Sequence, residues 1–289
     1  MSARNPWYRL GTFKAALKIA AALPRPLSQE IAGAIGSASF SLSKNAREIA
    51  RENLALATGK IGNDLDDLCR ANFENFVKML ADYFYCSSAE PSQIRVLVEQ
   101  RRGLEHIESA RARGKGGLLI TAHLGNWELG GILLALDGIP LTVVTLEEPS
   151  HELTTWREDY RKRLGIKTVA VGSDPFSFVG IISALRRNEF VAMLVDRPYA
   201  QSGVPVKFFE NETLFSSAPT LLWQHTDAAV LPAFVLQTKT GRYQSFVESP
   251  IAMNADPAQN AQRIAAVFES IIRAHPEQWY NYVPLWKKT

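Results

Sequence analysis

Residues 117–131 read Gly-Leu-Leu-Ile-Thr-Ala-His-Leu-Gly-Asn-Trp-Glu-Leu-Gly-Gly, and this stretch decides the fold. The short apolar run from Gly117 to Thr121 is typical of a buried strand in a parallel sheet. His123 follows in the turn, at the carboxyl end of that strand, where α/β sheets usually hold their ligands. A helix predicted over 125–136 places free backbone N–H groups beside the histidine. The stretch therefore predicts a strand–turn–helix unit with a functional site at its turn.

The rest of the chain continues this alternation of short apolar runs and helical patterns. We expect further strands at 141–146, 168–171, 190–195, 230–235 and 243–247, and helices at 151–164, 176–187, 216–226 and 257–274. Strands that alternate with helices of this length are typical of an α/β fold. The prediction is a mixed, largely parallel central sheet covered by helices on both faces.

The N-terminal part has a different pattern, and residues 1 to about 85 read as helices. A cap at 43–45 predicts a helix through Ala57, and a later stripe has helical spacing. That stripe consists of Phe73, Phe76, Val77, Leu80 and Phe84. We expect one domain over 1–289, with a mainly helical N-terminal extension (1–100) and an α/β catalytic core (101–289).

Composition narrows the class of protein. The chain has 289 residues, of which 46% are hydrophobic and 21% are charged, as in an ordinary soluble protein. A net charge of +3 is too small to indicate a nucleic-acid partner. The two cysteines, Cys69 and Cys86, have neither CxxC nor metal-ligand spacing, which favours reduced core residues.

The segment from residue 13 to 23 is the best candidate for contact with a membrane. Lys14 and Lys18 interrupt it and the prolines at 24 and 26 stop it, leaving about half of the ~20 apolar residues that a spanning helix needs. Two interpretations stay open for residues 7–23. The segment is either an amphipathic helix that lies on a membrane or an ordinary helix packed on the domain.

His123 and Glu128 are candidate catalytic residues. On one continuous helix, residues five apart would point about 140° away from each other, at ~100° per residue. If His123 lies in the turn and Glu128 in the helix, the two side chains can touch. Such a contact would fix the tautomer of the imidazole, as a general base requires. A purely structural hydrogen-bonded pair explains the same residues.

Residues 122–128 resemble the H-x4-[DE] signature of the lipid A biosynthesis (lauroyl/myristoyl) acyltransferase family, within the glycerolipid acyltransferase superfamily. Other segments resemble further boxes of that family in the same order. These segments are 46–54, 157–165, 185–189 with 194–197, 206–209 with 216–219, and 275–279. H-x4-[DE] alone is a moderate signal, whereas the ordered set of boxes is a strong one.

The resemblance implies transfer of a fatty acyl group from a thioester of acyl carrier protein or coenzyme A to a hydroxyl of a lipid or glycolipid. His123 would be the general base and Glu128 its orienting partner. Oxyanion donors would be backbone N–H groups around Gly125 and Asn126, or Arg161. No covalent acyl-enzyme, cofactor or metal is expected. The expected place is the cytoplasmic face of the inner membrane, as a peripheral protein.

Six residues are expected to contact substrate: Arg161, Asp196, Arg197, Asn126, Trp127 and Phe209. All but Asn126 also have a simpler interpretation. Arg161 fits a solvated helix face, the Asp196-Arg197 pair fits a buried ion pair, and the aromatic residues fit the core.

Two departures from the family pattern concern the acceptor. Family members usually carry a cationic run after the late tryptophan, where this chain has Tyr-Asn-Tyr-Val-Pro-Leu-Trp at 280–286. They also commonly begin with a membrane-spanning or strongly apolar helix, and no such helix is expected here. Both departures favour an acceptor other than lipid A.

Two rival functions stay open. The first is a metal-dependent hydrolase that uses His123, Glu128 and His151, although the chain has no H-E-x-x-H motif. The second is a membrane-associated lipid-binding protein of the same fold without turnover. A dinucleotide-binding protein is poorly supported, because no G-x-G-x-x-G follows a strand.

Overall fold

A computed structural model describes residues 11, 23–146, 151–171, 177–198 and 203–286. These residues form ten α-helices and nine β-strands. The strands are β1 (Val98–Arg102), β2 (Gly117–Thr121), β3 (Leu141–Leu146), β4 (Lys167–Val171), β5 (Phe190–Leu194), β6 (Val204–Phe208), β7 (Asn211–Phe215), β8 (Ala229–Gln237) and β9 (Tyr243–Val247). The helices are α1 (Arg25–Leu42), α2 (Lys44–Thr58), α3 (Gly62–Cys86), α4 (Pro91–Arg95), α5 (Leu104–Ala112), α6 (Trp127–Leu136), α7 (His151–Arg163), α8 (Ser177–Arg186), α9 (Ala218–Thr226) and α10 (Pro257–Ala274), followed by a 3₁₀ turn (Pro276–Gln278).

The central sheet has seven strands in the order β1-β9-β8-β2-β5-β3-β4. Strands β8, β2, β5, β3 and β4 are parallel, and β9 reverses direction beside β8. The four residues that begin β2 are all buried, as expected for a central strand with a continuous apolar sequence. The predicted α/β class and its largely parallel sheet are confirmed.

Helices cover both faces of this sheet. On one face, apolar residues of α4, α5 and α6 pack against the strands, with Leu119 of β2 among them. On the other face, α2, α3, α8, α9 and α10 pack around Leu118 and Ile120. The alternation of Leu118, Leu119 and Ile120 between the two cores follows from the two-residue period of a strand.

Three strands were absent from the sequence prediction. Strand β1 reads Val-Glu-Gln-Arg-Arg, so its apolar content is too low to indicate a strand. Strands β6 and β7 form a separate antiparallel hairpin. Its two turn residues, Phe209 and Glu210, both have positive φ. A pair such as Asn-Gly would have indicated this turn in the sequence, but Phe-Glu does not.

The N-terminal helices α1 and α3 run antiparallel against each other. Arg25 donates to both carboxylate oxygens of Asp82 at 2.8 Å at one end, and Phe40 lies edge-on to Phe73 at the other. Gly36 permits the close approach, because a Cβ there would lie 2.5 Å from the Cα of Glu74. The two helices are therefore packed firmly against each other.

Residues 1–10 and 12–22 lie outside the described residues, and with them most of the predicted membrane-lying segment at 7–23. In the parts of the chain that the structure does describe, no helix has the length and apolar content needed to cross a membrane.

Candidate functional site

The turn between β2 and α6 is built by close backbone contacts. Gly125 has φ of +63°, and a Cβ there would lie 2.1 Å from the carbonyl oxygen of Val235. Gly125 N–H donates to Gln278 O at 2.9 Å, and Asn126 N–H donates to Val235 O at 2.7 Å. These two N–H groups were expected to stabilise an oxyanion. The structure corrects this, because both already have backbone acceptors.

His123 lies beside Asp196 at the carboxyl edge of the sheet. Strands β2 and β5 are parallel neighbours with Thr121 opposite Leu194, so the residues two positions further on meet. His123 Nδ1 is 2.6 Å from Asp196 Oδ1, and the backbone N–H of His123 donates to Asp196 Oδ2 at 3.1 Å. An ionised carboxylate only accepts hydrogen bonds, so Nδ1 carries the proton and Nε2 is the basic nitrogen.

The electrostatics of this pair suit a neutral base. Burial lowers the pKa of His123, and the charge of Arg197 acts in the same direction, while Asp196 opposes both. Burial raises the pKa of Asp196, but the interactions with His123 and the charge of Arg197 outweigh it and bring that pKa to about 2. The His123 side chain is 24% exposed and that of Asp196 is 0% exposed, so only the histidine is open to a reactant.

Glu128 lies in the first turn of α6 and pairs with Arg161 of α7. Arg161 Nη2 donates to Oε1 at 2.6 Å and Nε donates to Oε2 at 3.3 Å, a two-pronged ion pair. Burial raises the pKa of Glu128, but the charges of Arg161 and Arg157 together with the hydrogen bonds hold it below its usual value. The side chains of Glu128 and Arg161 are 16% and 4% exposed, so this is a buried, fully charged pair.

The expected contact between His123 and Glu128 is therefore corrected. The structure gives each side chain another partner: Asp196 for the histidine and Arg161 for the glutamate. The physical reason is that His123 belongs to the end of β2 and contacts the neighbouring strand end, whereas Glu128 leaves the turn on α6 and faces α7. A catalytic role for Glu128 stays a prediction, and the solvated-face interpretation of Arg161 is wrong, because Arg161 is buried.

Asn126 and Trp127 connect the turn to its surroundings. Asn126 is buried and caps α6 by accepting from Leu129 N–H at 3.0 Å, while its Nδ2 lies 3.4 Å from Tyr243 Oη. The Trp127 ring stands edge-on to His123 with centroids 5.7 Å apart. Trp127 thus borders the histidine directly, whereas the polar atoms of Asn126 are used inside the protein. Contact of either residue with substrate stays a prediction.

Arg197 and Phe209 both contact the segment at Trp279 and Tyr280. Arg197 Nη2 donates to Tyr280 O at 2.9 Å. Phe209 is buried in an aromatic cluster with Phe208, Trp279 and Trp286. These positions agree with a core interpretation of Phe209. The predicted substrate contacts of both residues stay predictions.

A segment near the C-terminus completes the site, and the sequence prediction gave it no catalytic part. We call residues 276–283 the C-terminal strap. Its Tyr280 N–H donates to His123 O at 2.7 Å, and Trp279 Nε1–H donates to Asp196 Oδ2 at 3.2 Å. The sequence signal for this segment was the Pro-Glu-Gln-Trp box at 276–279. It resembles a box of the family but does not indicate what Trp279 contacts.

A narrow apolar cavity of about 90 Å³ lies between α6 and the sheet. Thr121, Trp127 and Glu128 line it, and Gly130 and Gly131 give it room because they have no side chains. Further lining residues include Leu119, Val143 and Val235. The cavity is smaller than the ~150 Å³ engineered cavity that holds benzene, so as it stands it admits only a few carbon atoms.

The rival metal site requires three clustered ligands. His151 begins α7, and the described ranges contain no group of three or more His, Cys, Asp or Glu residues arranged to hold a metal ion.

Comparison with known proteins gives a consistent result. The family described as bacterial lipid A biosynthesis acyltransferase matches residues 7–288. A phosphatidylinositol mannoside acyltransferase of Mycolicibacterium smegmatis is 25% identical over 95% of this chain and 90% of the relative. A lipid A biosynthesis palmitoleoyltransferase of Escherichia coli K12 is 23% identical over 94% of this chain and 88% of the relative.

Proposed function

Because this chain belongs to the bacterial lipid A biosynthesis acyltransferase family, we propose that it transfers a fatty acyl group from a thioester to a hydroxyl of a glycolipid at a membrane surface. The observation that carries the proposal is the His123–Asp196 pair. It joins a partly exposed imidazole to a buried carboxylate at the edge of the sheet where α/β proteins hold ligands.

The reaction is a direct acyl transfer with His123 as the base. Nε2 of His123 removes the proton of the acceptor hydroxyl while its oxygen attacks the thioester carbonyl carbon. The tetrahedral intermediate then collapses, the C–S bond breaks, and the proton passes from His123 to the leaving thiolate. Asp196 holds Nδ1–H and stabilises the imidazolium that forms between the two proton transfers.

The Glu128–Arg161 pair and the cavity that Trp127 and Glu128 line also support this reaction. The ion pair ties α6 to α7 and supplies fixed charges at the end of the cavity. The apolar lining of that cavity is suited to methylene groups of an acyl chain. A chain longer than a few carbons requires α6 and the sheet to move apart or the chain to leave through the mouth.

The acceptor we propose is a glycolipid other than lipid A. The region that would carry the family's cationic run is used here to hold the fold, since Tyr282 Oη donates to Asn72 Oδ1 at 2.9 Å. Tyr280 and Tyr282 also pack on Phe76, with ring centroids 5.3 and 5.4 Å apart. The Mycolicibacterium relative, named for a mannosylated inositol lipid, adds support.

A transfer assay tests the proposal. Purified protein is offered acyl carrier protein and coenzyme A thioesters with a mannosylated inositol lipid or a lipid A precursor, and products are measured by mass spectrometry. We expect acylation of the first acceptor, and transfer lowered by roughly 10²–10⁴-fold in His123→Ala. The matched control is His225→Ala, since His225 is an exposed histidine on α9.

Two results would contradict this proposal. A folded His123→Ala variant with wild-type turnover would exclude His123 as the base. Efficient acylation of the lipid A precursor, with none of the mannosylated lipid, would contradict the acceptor while leaving the acyl transfer intact.

We also propose that the protein attaches peripherally to the cytoplasmic face of the inner membrane. Leu27, Ile31 and Ile35 lie four residues apart on α1 and are 44%, 40% and 39% exposed, which forms an apolar stripe directly after the segment at 7–23. We expect flotation with vesicles of anionic lipid, reversed by high salt, and loss of flotation when all three residues become Glu. The control is Val179→Glu with Leu221→Glu, two exposed apolar positions on other helices. Failure of the wild-type protein to float at low salt would refute the attachment.

A further inference from the structure

The C-terminal strap places an indole against the carboxylate of the candidate site. Asp196 is fully buried and receives three donors from the residues that the structure describes: His123 Nδ1–H on Oδ1, and His123 N–H and Trp279 Nε1–H on Oδ2. Two of these donors belong to His123 itself. Trp279 is therefore the donor that fixes the carboxylate from outside the histidine, at 3.2 Å.

We propose that Trp279 is a positioning residue, whose indole N–H holds Asp196 so that Asp196 can hold Nδ1–H of His123. The inference rests on the proposed function of His123 as a base. An indole suits the task because its N–H only donates, and it neither accepts a proton nor titrates near neutral pH. It can therefore bond to Asp196 in its ionised form without competing with the imidazole.

Hydrogen bonds hold the strap in place at Trp279 from two directions. On the catalytic side, Gly125 N–H donates to Gln278 O and Tyr280 N–H donates to His123 O. On the other side, the buried Asn72 of α3 donates to Trp279 O at 2.8 Å. The backbone of Trp279 is consequently held in a fixed position relative to both the turn of His123 and the N-terminal helices.

Further asparagines anchor the strap on both sides of Trp279. Asn75 Nδ2 donates to Glu277 O at 3.2 Å, and Asn53 Nδ2 donates to Asn281 O at 2.8 Å and to Val283 O at 2.9 Å. Both belong to the helical extension, on α3 and α2. The helical extension can therefore influence the His123–Asp196 pair, because it holds the segment that carries the indole of Trp279.

The same aromatic cluster supplies a matched control. Trp286 lies 6.4 Å from Trp279 between ring centroids and also contacts Phe208 and Phe209. Its buried indole N–H has no hydrogen-bond partner among the residues described. Replacing either tryptophan by Phe removes the same atoms from the same cluster, but only Trp279→Phe removes a donor from Asp196.

The first experiment compares turnover in Trp279→Phe and Trp286→Phe at one assay temperature, well below the melting temperature of both variants. A hydrogen bond to a charged group changes a rate by roughly 10- to 100-fold when it is lost. We expect that loss in kcat, with KM unchanged, for Trp279→Phe and wild-type kcat for Trp286→Phe. Equal losses in the two variants would overturn the proposal, because they would reduce Trp279 to a packing role.

The second experiment combines Trp279→Phe with Asp196→Asn. If Trp279 acts through Asp196, the double variant has the same kcat as Asp196→Asn alone. Losses that multiply would overturn the proposal, since they would show an action of Trp279 that bypasses the carboxylate.

The third experiment needs no acyl transfer. The imidazole of His123 is titrated by NMR in protein labelled at histidine nitrogen, with His123→Ala to assign the signal. Loss of one donor leaves the charge of Asp196 less compensated, so the pKa of His123 should rise in Trp279→Phe and stay unchanged in Trp286→Phe. An unchanged titration in Trp279→Phe would overturn the proposal. If the wild-type protein transferred no acyl group, the proposed function would fail, while this titration would still decide the role of Trp279.

Discussion

The His123–Asp196 pair and the Glu128–Arg161 pair begin from the same strand–turn–helix unit but differ in what their surroundings permit. In the first pair one partner is 24% exposed and neutral near physiological pH, because burial lowers its pKa. In the second pair both partners are largely buried and carry opposite charges. A group that must exchange a proton needs access and a pKa near the working pH, whereas a fixed ion pair needs neither. The first pair is therefore suited to chemistry, and the second to holding α6 against α7.

The largest expected effect is on turnover in Asp196→Asn. An amide can donate to Nδ1 and thereby favour the wrong tautomer of His123, so we expect kcat to fall by roughly 10²–10⁴-fold. Steady-state kinetics of the folded variant measure this. Near wild-type turnover would remove the distinction between the two pairs, since Asp196 would then be as structural as Arg161.

The second effect is on folding stability and concerns the buried ion pair. Arg161→Met leaves Glu128 charged and unpaired, which should cost about 3–5 kcal/mol in the free energy of unfolding. Adding Glu128→Gln to that variant should restore most of the loss, because no buried charge remains. Denaturant titration of the single and double variants measures both. An Arg161→Met variant that is stable but inactive would instead favour the site role predicted for the Glu128–Arg161 pair.

The third effect is a shift in the pH profile. Neutral His123 is the active base, so wild-type kcat should fall as the pH drops through a pKa below the ordinary value of about 6.5. Asp196 raises that pKa, so its removal in Asp196→Asn should move the acidic limb to still lower pH. Glu128→Gln should leave the limb in place. A shift of equal size in both variants would mean that Glu128 also acts on the imidazole.

Local sequence was sufficient for the strand–turn–helix unit. All six predicted strands begin within one residue of the observed start, and three of them, β2, β3 and β9, have the predicted bounds. These elements follow from short apolar runs and from capping chemistry such as Asn126 on α6, which operate over a few residues. The polar strand β1 and the hairpin turn at Phe209 have no comparable local signal, because their conformations depend on neighbouring strands.

The partners of the candidate residues were decided by tertiary structure. Sequence separation suggested Glu128 for His123, since the two are close in the chain. Asp196 is 73 residues away and reaches His123 because β5 happens to be the parallel neighbour of β2. Strand order depends on how whole helices pack on the sheet, and no short segment encodes it.

The sequence by itself determined the fold class, the family and the histidine at the end of β2. Those follow from periodicity and from an ordered set of local boxes. The tertiary structure alone decided that Asp196 orients the histidine, that Arg161 pairs with Glu128, and that Trp279 reaches the carboxylate from the far end of the chain. The physical reason is that hydrogen bonds and ion pairs act over about 3 Å in space, while the residues that make them lie 33 to 83 positions apart in the chain.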